Sequence, residues 1–529
     1  MAAESEIPKP TERQQMDALV ELMRQVRQNY YEETDTVDLL NGAIEGYLSQ
    51  LDPHSTYIRP EDLNDTQERL RGTFEGIGIF FEIVDNVLTV LSPIEGSPAF
   101  RAGLLPGDQI YRIDGKSALH LKSSEVTELL KGARGTQVRV SVRREAEREL
   151  VDFDITRDKI QVPSVPYSFM LSRDIGYVKV TRFSERTADE LETAIGDLLL
   201  QGTQKLVLDL RGNGGGYLEQ AVAVANQFIE KGRRLVYTEG RLRNSRENYL
   251  GTREPIFAPD LPLIVLVDRF SASASEIVAG VIQDYDRGLV VGHTTFGKGL
   301  VQKQFFLKNE GAVLLTIAQY FTPSGRPIQR PFSKDREAYQ KEGYDDYDPN
   351  ADPDSLAQKI VYHTQILGRN VFGEGGITPD FAIEADTLGS FEKILIRPKN
   401  FAAFLSYAKR QEAHMLREYS EFETYFQAYH PGKREVAEFR SLLNEKEVSF
   451  TESEFQSAVP FIKKQIKQQI AQIRWGNWAE GRVRVQQDPQ VAKAMALFGQ
   501  AEALLASRAT RQGDVQSYGR SQTPDNQVR

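Results

Sequence analysis

Three serines fall in the segment Ser271-Ala-Ser-Ala-Ser-Glu276, and a lysine flanked by glycines follows at Gly297-Lys-Gly299. A serine exposed at a strand-to-helix turn can act as a nucleophile once a base takes its proton. The helix behind it offers free backbone N–H groups and a positive dipole end, which an oxyanion intermediate needs. Ser271, Ser273 and Ser275 all qualify by type and place. Helix capping is the ordinary reading of such serines. Lys298 becomes a base only where burial disfavours its charged form and lowers its pKa from about 10.4. Gln302, four residues on, shares a face with it in an extended segment and can hold it by a hydrogen bond. Without such a partner a lysine is a solvated surface charge.

A second constellation is the glycine loop Arg211-Gly-Asn-Gly-Gly-Gly216, placed after an apolar run and before a helical one. Successive N–H groups there can form a nest for a negative oxygen. A competing reading comes from Gly292-His-Thr-Thr-Phe-Gly-Lys298, which fits the start of a phosphate-binding loop. Two features oppose it. Gly299 stands where a Mg²⁺-binding hydroxyl is required, and Leu300–Phe306 reads as a strand where that loop must open a helix. The six histidines are His54, His120, His293, His363, His414 and His430. Only His293 lies near the lysine, as an alternative base. His54, beside Asp52 and Ser55, reads as a turn residue. No His/Glu/Asp group has metal-site spacing. Gly76-Ile-Gly-Ile79 precedes a strand, and its N–H groups can receive a peptide carboxylate while the peptide adds as an extra strand.

The elements that must hold these groups follow from periodicity. Residues 12–50 carry apolar positions at helical spacing. Residues 73–158 alternate short β-type runs with turns and include one helical piece, Ser123–Leu130, which suggests a separate β-rich module. Residues 175–320 repeat strand, loop and helix. The runs Leu206–Leu210, Leu263–Val267 and Leu289–Val291 are buried strands, with helices expected at 218–231 and 275–283. That repeat implies a partly parallel sheet with chemistry at its strand ends. Residues 391–507 are helical, with a capping box at Thr451–Glu454 and a helix start at Asp488-Pro489. Residues 508–529 are polar and read as disordered.

The chain has 529 residues and suits two to four domains. Its net charge of −10 argues against a nucleic-acid binder. It contains no cysteine, which excludes disulfides, zinc–thiolate sites and thiol nucleophiles. No apolar run approaches the roughly 20 residues of a membrane span. The first residues lack the basic, apolar and small-residue order of a signal peptide.

Taken in order, these segments resemble the C-terminal processing (tail-specific) serine peptidases, a PDZ-containing S41 type, from about residue 35 to 385. The resemblance runs through Leu51-Asp-Pro-His-Ser55, Gly76–Ile79, Ser97-Pro-Ala99 and Ala102–Asp108. It continues through Leu208-Asp-Leu-Arg-Gly-Asn213, Ser271–Ile277, Thr295–Gln302 and Gly376-Ile-Thr-Pro-Asp380. It implies a multidomain α/β fold: a crotonase-like α/β protease core with an inserted PDZ domain and helical regions at both ends. The expected divisions are 1–72 helical, 73–158 PDZ, 159–390 protease, 391–507 helical and 508–529 tail. By motif match Ser273 is the nucleophile, Lys298 the general base and Gln302 the residue that orients the lysine. The Ala274 amide, with that of Gly215 or Gly216, makes the oxyanion hole. Gly214 stands where the family often has proline. Gly76, Ile77, Gly78 and Ile79 bind the peptide terminus, and Lys131 falls where many relatives carry an arginine that relays docking. The resemblance implies a periplasmic or cell-envelope endopeptidase without cofactor or metal. It acts on proteins with free C-termini, with an adaptor protein and a homodimer as expected partners. A non-catalytic PDZ scaffold and a nucleotide hydrolase are the alternatives.

Overall fold

The computed structural model describes residues 10–84, 86–144, 147, 149–332, 339, 360–383 and 388–520. The chain divides into two compact units. One comprises Met1–Asn64, Gln302–Thr316 and Phe332–Gln340, and the other the remainder. In the first unit, helices Glu12–Asn29 and Thr36–Ser49 start at Thr11, which closes a capping box, and at Asp35. The strand Thr56–Ile58 pairs antiparallel with residues 312–314. The Asp52 carboxylate accepts the N–H groups of His54 and Ser55, each at 2.8 Å, and the Ser55 hydroxyl at 2.6 Å. That turn role is the one expected of His54 and its neighbours.

The second unit holds a six-stranded sheet. Its order is Ser168–Met170, Ile175–Lys179, Lys205–Asp209, Leu263–Val267, Leu289–Gly292 and Phe381–Ala382. The first pair is antiparallel and all others are parallel. Parallel strands are covered on both faces, which is why they read as unbroken apolar runs. Leu206, Leu208, Leu263 and Val265 face the helices Thr187–Leu200, Leu218–Ala225 and Ala274–Asp284. Val207, Ile264, Leu266 and Val291 face Val485, Val491, Ala494, Phe498, Ala501 and Leu504. The end of the chain therefore supplies the second covering layer. Each fully buried aliphatic side chain in these layers contributes about 1.5–3 kcal/mol.

Two boundaries differ from the periodicity reading. The helix expected over 218–231 ends at Ala225, because the Asn226 amide turns to cap the Arg253 carbonyl at 2.9 Å and its oxygen takes the Thr252 N–H at 2.8 Å. Residues 508–520, read as the start of a disordered tail, continue the helix Phe498–Arg520. Arg508, 3% exposed, donates there to Glu230, an ion pair that a polar composition does not reveal. Residues 1–9 and 521–529 of the terminal regions lie outside the described residues.

The β-rich module is an antiparallel sheet led by the strands Ile79–Val84, Val87–Pro93, Gln109–Ile113, Gln137–Arg143 and Val151–Thr156. Its core contains Ile77, Val90, Ile110, Val126, Val140 and Ile155. The helices from Ser390 to Gln486 enclose a further core around Phe404, Phe439, Phe455, Ile462 and Ile466.

Candidate active site

Three loops leave adjacent parallel strands at their C-terminal ends, after Asp209, Val267 and Gly292. In open α/β sheets that edge is where ligands bind. The loops carry the glycine run, the serines and the lysine.

The three serines separate by what their hydroxyls do. Ser271 Oγ donates to the Leu210 carbonyl at 2.9 Å and takes the Asp268 N–H at 3.0 Å. Ser275 Oγ donates to the Asn213 carbonyl at 2.8 Å. Both residues are 0% exposed, so both hydroxyls are engaged in the scaffold. Ser273 is half-buried and occupies the N-cap position of the Ala274–Asp284 helix, yet its hydroxyl makes no cap bond. Its backbone is bent to φ 55°, ψ −112°, a conformation that L-residues rarely adopt. Such strain persists where the surroundings over-determine it, as at a sharp strand-to-helix nucleophile turn.

Glu276 holds that turn. Its carboxylate is completely buried and accepts four donors. Oε2 takes the Ser273 N–H at 2.7 Å and the Lys298 N–H at 2.9 Å. Oε1 takes the Thr295 hydroxyl at 2.6 Å and the Gly297 N–H at 2.7 Å. One oxygen thus carries the backbones of both the serine and the lysine. Burial pushes the Glu276 carboxyl up to about 7, against the four hydrogen bonds that favour its charged form. Glu276 ends the serine segment, and its residue type alone gives it no task. The available signal was the Ser273-x-x-Glu276 capping-box spacing.

Lys298 is half-buried, and its carbonyl accepts from the Tyr320 hydroxyl, which also reaches the Ser273 carbonyl at 3.1 Å. Gly299 packs against Gln329, whose side chain takes the Gly299 N–H at 3.0 Å. The segment after the lysine, Leu300–Phe306, is a strand. A phosphate-binding loop is therefore ruled out, since no helix opens behind Lys298. The His293 N–H continues the sheet edge by donating to the Val267 carbonyl at 3.1 Å. In the other unit, the Gln302 side-chain amide donates to the His54 carbonyl.

The glycine loop lies against the serine turn. A β-carbon on Gly215 would stand 2.8 Å from Ser273 Cβ and 3.1 Å from the Ala274 nitrogen. With φ at 99°, Gly215 is a position where only glycine fits. Its own N–H is bound to Asn213 Oδ1 at 2.9 Å. Among the described residues, the N–H groups of Gly216 and Ala274 have no hydrogen-bond acceptor. Gly214 keeps an ordinary φ and has open space around it.

In the β-rich module, Gly78 takes φ 81° and its carbonyl accepts from Ser97 Oγ at 2.9 Å. Ile77 is 1% exposed and its carbonyl accepts the Ala99 N–H at 2.8 Å. Among the described residues, the strand Ile79–Val84 pairs only with Val87–Pro93, so no strand occupies its other edge, and the helix Pro398–Glu418 contacts it. Lys131, the C-cap of the Ser123–Leu130 helix, lies 2.6 Å from Asp65 and 2.5 Å from Glu68. Burial would lower its ammonium pKa, but those two carboxylates hold it above the ordinary value.

A family model described as peptidase family S41 matches residues 174–337, and a PDZ-domain model matches residues 76–155. Residues 2–62 match an activating-protease CtpB N-terminal domain, and residues 400–476 a family of unknown function. The fold and these matches define a serine peptidase that carries a PDZ domain. The carboxy-terminal-processing protease of Bartonella bacilliformis is 39% identical over 313 residues, 58% of this chain and 71% of that protein. The carboxy-terminal processing protease CtpA of Bacillus subtilis is 38% identical over 315 residues, 59% of this chain and 66% of that protein. The solved photosystem II D1 C-terminal processing protease aligns with 70% of this chain and 87% of its own, at 27% identity and a TM-score of 0.37. The chain belongs to the carboxy-terminal processing proteases of peptidase family S41.

Proposed function

We propose that Ser273 is the nucleophile and Lys298 the general base of this protease. The observation that carries the reading is Glu276, which fixes the backbones of both on one carboxylate oxygen. Neutral Lys298 takes the Ser273 hydroxyl proton as Oγ attacks the scissile carbonyl. The tetrahedral oxyanion is held by the amides of Ala274 and Gly216, with Gly215 shaping the wall beside them. The lysine then gives its proton to the leaving amine. Water, deprotonated by the same lysine, hydrolyses the acyl-enzyme and regenerates the hydroxyl. Gln302 orients the lysine in this scheme.

Substrates are proteins with free C-termini. Their terminal carboxylate is received by the N–H groups at Gly76–Ile79 while the last residues add to the unpaired edge of Ile79–Val84. The Lys131 ion pairs with Asp65 and Glu68 support a relay from the PDZ helix to the segment that precedes the module. The periplasm or cell envelope is the compartment, and an adaptor protein presents substrates. The test is one unfolded protein carrying varied tails, cleaved and read by mass spectrometry. A terminal amide or aspartate is expected to raise KM about ten- to a hundred-fold and to leave kcat nearly unchanged. Equal KM for every tail would sink PDZ capture, and binding without cleavage would sink the protease reading in favour of a scaffold.

A second copy of the chain covers the N-terminal helix. Glu12–Asn29 buries no residue, while Met16 and Val20 are 63% and 66% exposed beside Leu19 and Met23. Such a stripe favours self-association. Sedimentation should give twice the monomer mass, and Leu19→Glu with Met23→Glu should return a monomer. A monomeric parent chain would refute this.

A further inference from the structure

Side chains outside the glycine loop hold part of its backbone: Asp268 takes the Gly212 N–H at 2.9 Å and Ser275 Oγ reaches the Asn213 carbonyl at 2.8 Å. Four of the six residues Arg211–Gly216 are glycine, so the only side-chain anchors the loop itself contributes are Arg211 and Asn213. Asn213 is fixed within the core by donating to the Val180 carbonyl at 3.0 Å. Arg211 sets where the loop begins, and its partners come from two adjacent strands and from the C-terminal helices. Asp209 accepts the guanidinium at 2.6 Å and the Arg211 N–H at 2.9 Å. Lys179 Nζ donates to the Arg211 carbonyl and lies 3.1 Å from Asp209.

The far side of the guanidinium is held from the C-terminal helices. Arg211 Nη1 lies 2.8 Å from Asp488 Oδ2 and donates to Gln490 Oε1 at 2.6 Å. Asp488 is also the N-cap of the Pro489–Ala496 helix, its Oδ1 accepting the Gln490 N–H at 2.8 Å and the Val491 N–H at 3.3 Å. The two oxygens therefore do different work. That helix is pinned against the sheet by Val491 and Ala494. Lys179 and Arg211 bring two positive charges to a site only 14% and 15% exposed, where Asp209 supplies a negative charge to both and Asp268 a further one to Lys179. Asp488 supplies the carboxylate on the far side of Arg211. Without it that side of the guanidinium loses its charged partner and turns toward water, moving the loop start with it.

We infer that Asp488 and Gln490 are positioning residues of the protease, clamping Arg211 so that the loop it opens keeps its amide aligned for the oxyanion. This rests on the proposed Ser273 chemistry. It assigns a catalytic contribution to the helices beyond residue 488, which lie outside the matched peptidase region.

The test is made in the full chain. Asp488→Asn keeps the cap acceptor and removes the charge, and Gln490→Ala removes the second acceptor. Together they are expected to lower kcat about ten-fold with KM within two-fold. Affinity for a peptide aldehyde, whose adduct places an oxygen in the oxyanion hole, should fall in parallel with kcat. Gln490→Glu, which retains an acceptor and adds charge, should restore kcat in the Asp488→Asn background. A double variant with parental kcat and aldehyde affinity overturns the inference, whatever its melting temperature. Lost stability with normal turnover per folded molecule likewise overturns it, because the pair is then only a structural clamp. Cleavage by Ser273→Ala would instead overturn the reading on which it rests, independently of the Asp488 variants.

Discussion

Ser273→Ala is expected to abolish cleavage, with kcat down by about 10⁶-fold and the fold retained. The expectation is specific because the neighbouring serines cannot substitute. Ser271 Oγ and Ser275 Oγ are buried and bonded to the carbonyls of Leu210 and Asn213. Replacing either by alanine removes one of two donors to a buried carbonyl, since Leu210 and Asn213 also accept the N–H groups of Asn213 and Ala272, and should cost about 1 kcal/mol of stability. The proposed nucleophile survives in those variants, so turnover per folded molecule should stay near the parental value. Ser273→Gly should be as inactive as alanine and more stable by about 1 kcal/mol, since glycine relieves the strained backbone. Lys298→Ala should match the serine variant. Lys298→Arg should not rescue it, because a guanidinium stays protonated and cannot take the hydroxyl proton. Mass spectrometry of an unfolded substrate, with thermal melting beside it, gives both readouts. Full activity in Ser273→Ala, or loss of activity in Ser275→Ala without unfolding, would refute the assignment.

Much of this architecture is legible in the chain because of where its strands lie. Leu263–Val267 and Leu206–Leu208 are buried on both faces, so they appear as unbroken apolar runs followed by chemistry-bearing loops. The choice among three serines is not legible from those residues. It depends on which hydroxyls find carbonyls 61 and 62 positions away, just before and within the glycine loop. Family likeness points to Ser273, and its uncapped hydroxyl on a strained turn supports that proposal. Glu276 escapes for a similar cause. Its spacing from Ser273 reads as a capping box, while three of its four donors are 19 to 22 residues distant. The clamp on Arg211 is further removed, at 279 positions to Gln490. The apolar spacing of Val491, Ala494, Phe498, Ala501 and Leu504 announces a helical stripe. Which surface it covers is decided by tertiary packing alone.

Glu276→Gln should lower kcat about a hundred- to a thousand-fold, although the side chain is not in position to react. Four donors converge on the carboxylate, and an amide of the same size must present its NH₂ to one pair of them. Either the Ser273 and Lys298 backbones part, or the Gly297 N–H loses its acceptor. The same argument gives a pH dependence. Burial raises the carboxyl to about 7, so lowering the pH through neutrality protonates it and weakens the hold on both loops. An acid limb near pH 7 is expected in the kcat profile of the parent enzyme and should be absent from the glutamine variant, leaving only the limb that belongs to the base. Stability runs in the opposite sense. Between about 4.5 and 7 the folded state holds a proton that the unfolded chain has released. The group's contribution to unfolding free energy therefore falls as pH rises through that window, by roughly 3 kcal/mol, and is flat above it. The glutamine variant should lack that slope. Activity and stability of the parent thus move in opposite directions across neutrality, which separates a positioning carboxylate from one that only supports the fold. A glutamine variant that keeps the limb near pH 7 would exclude Glu276 as its source.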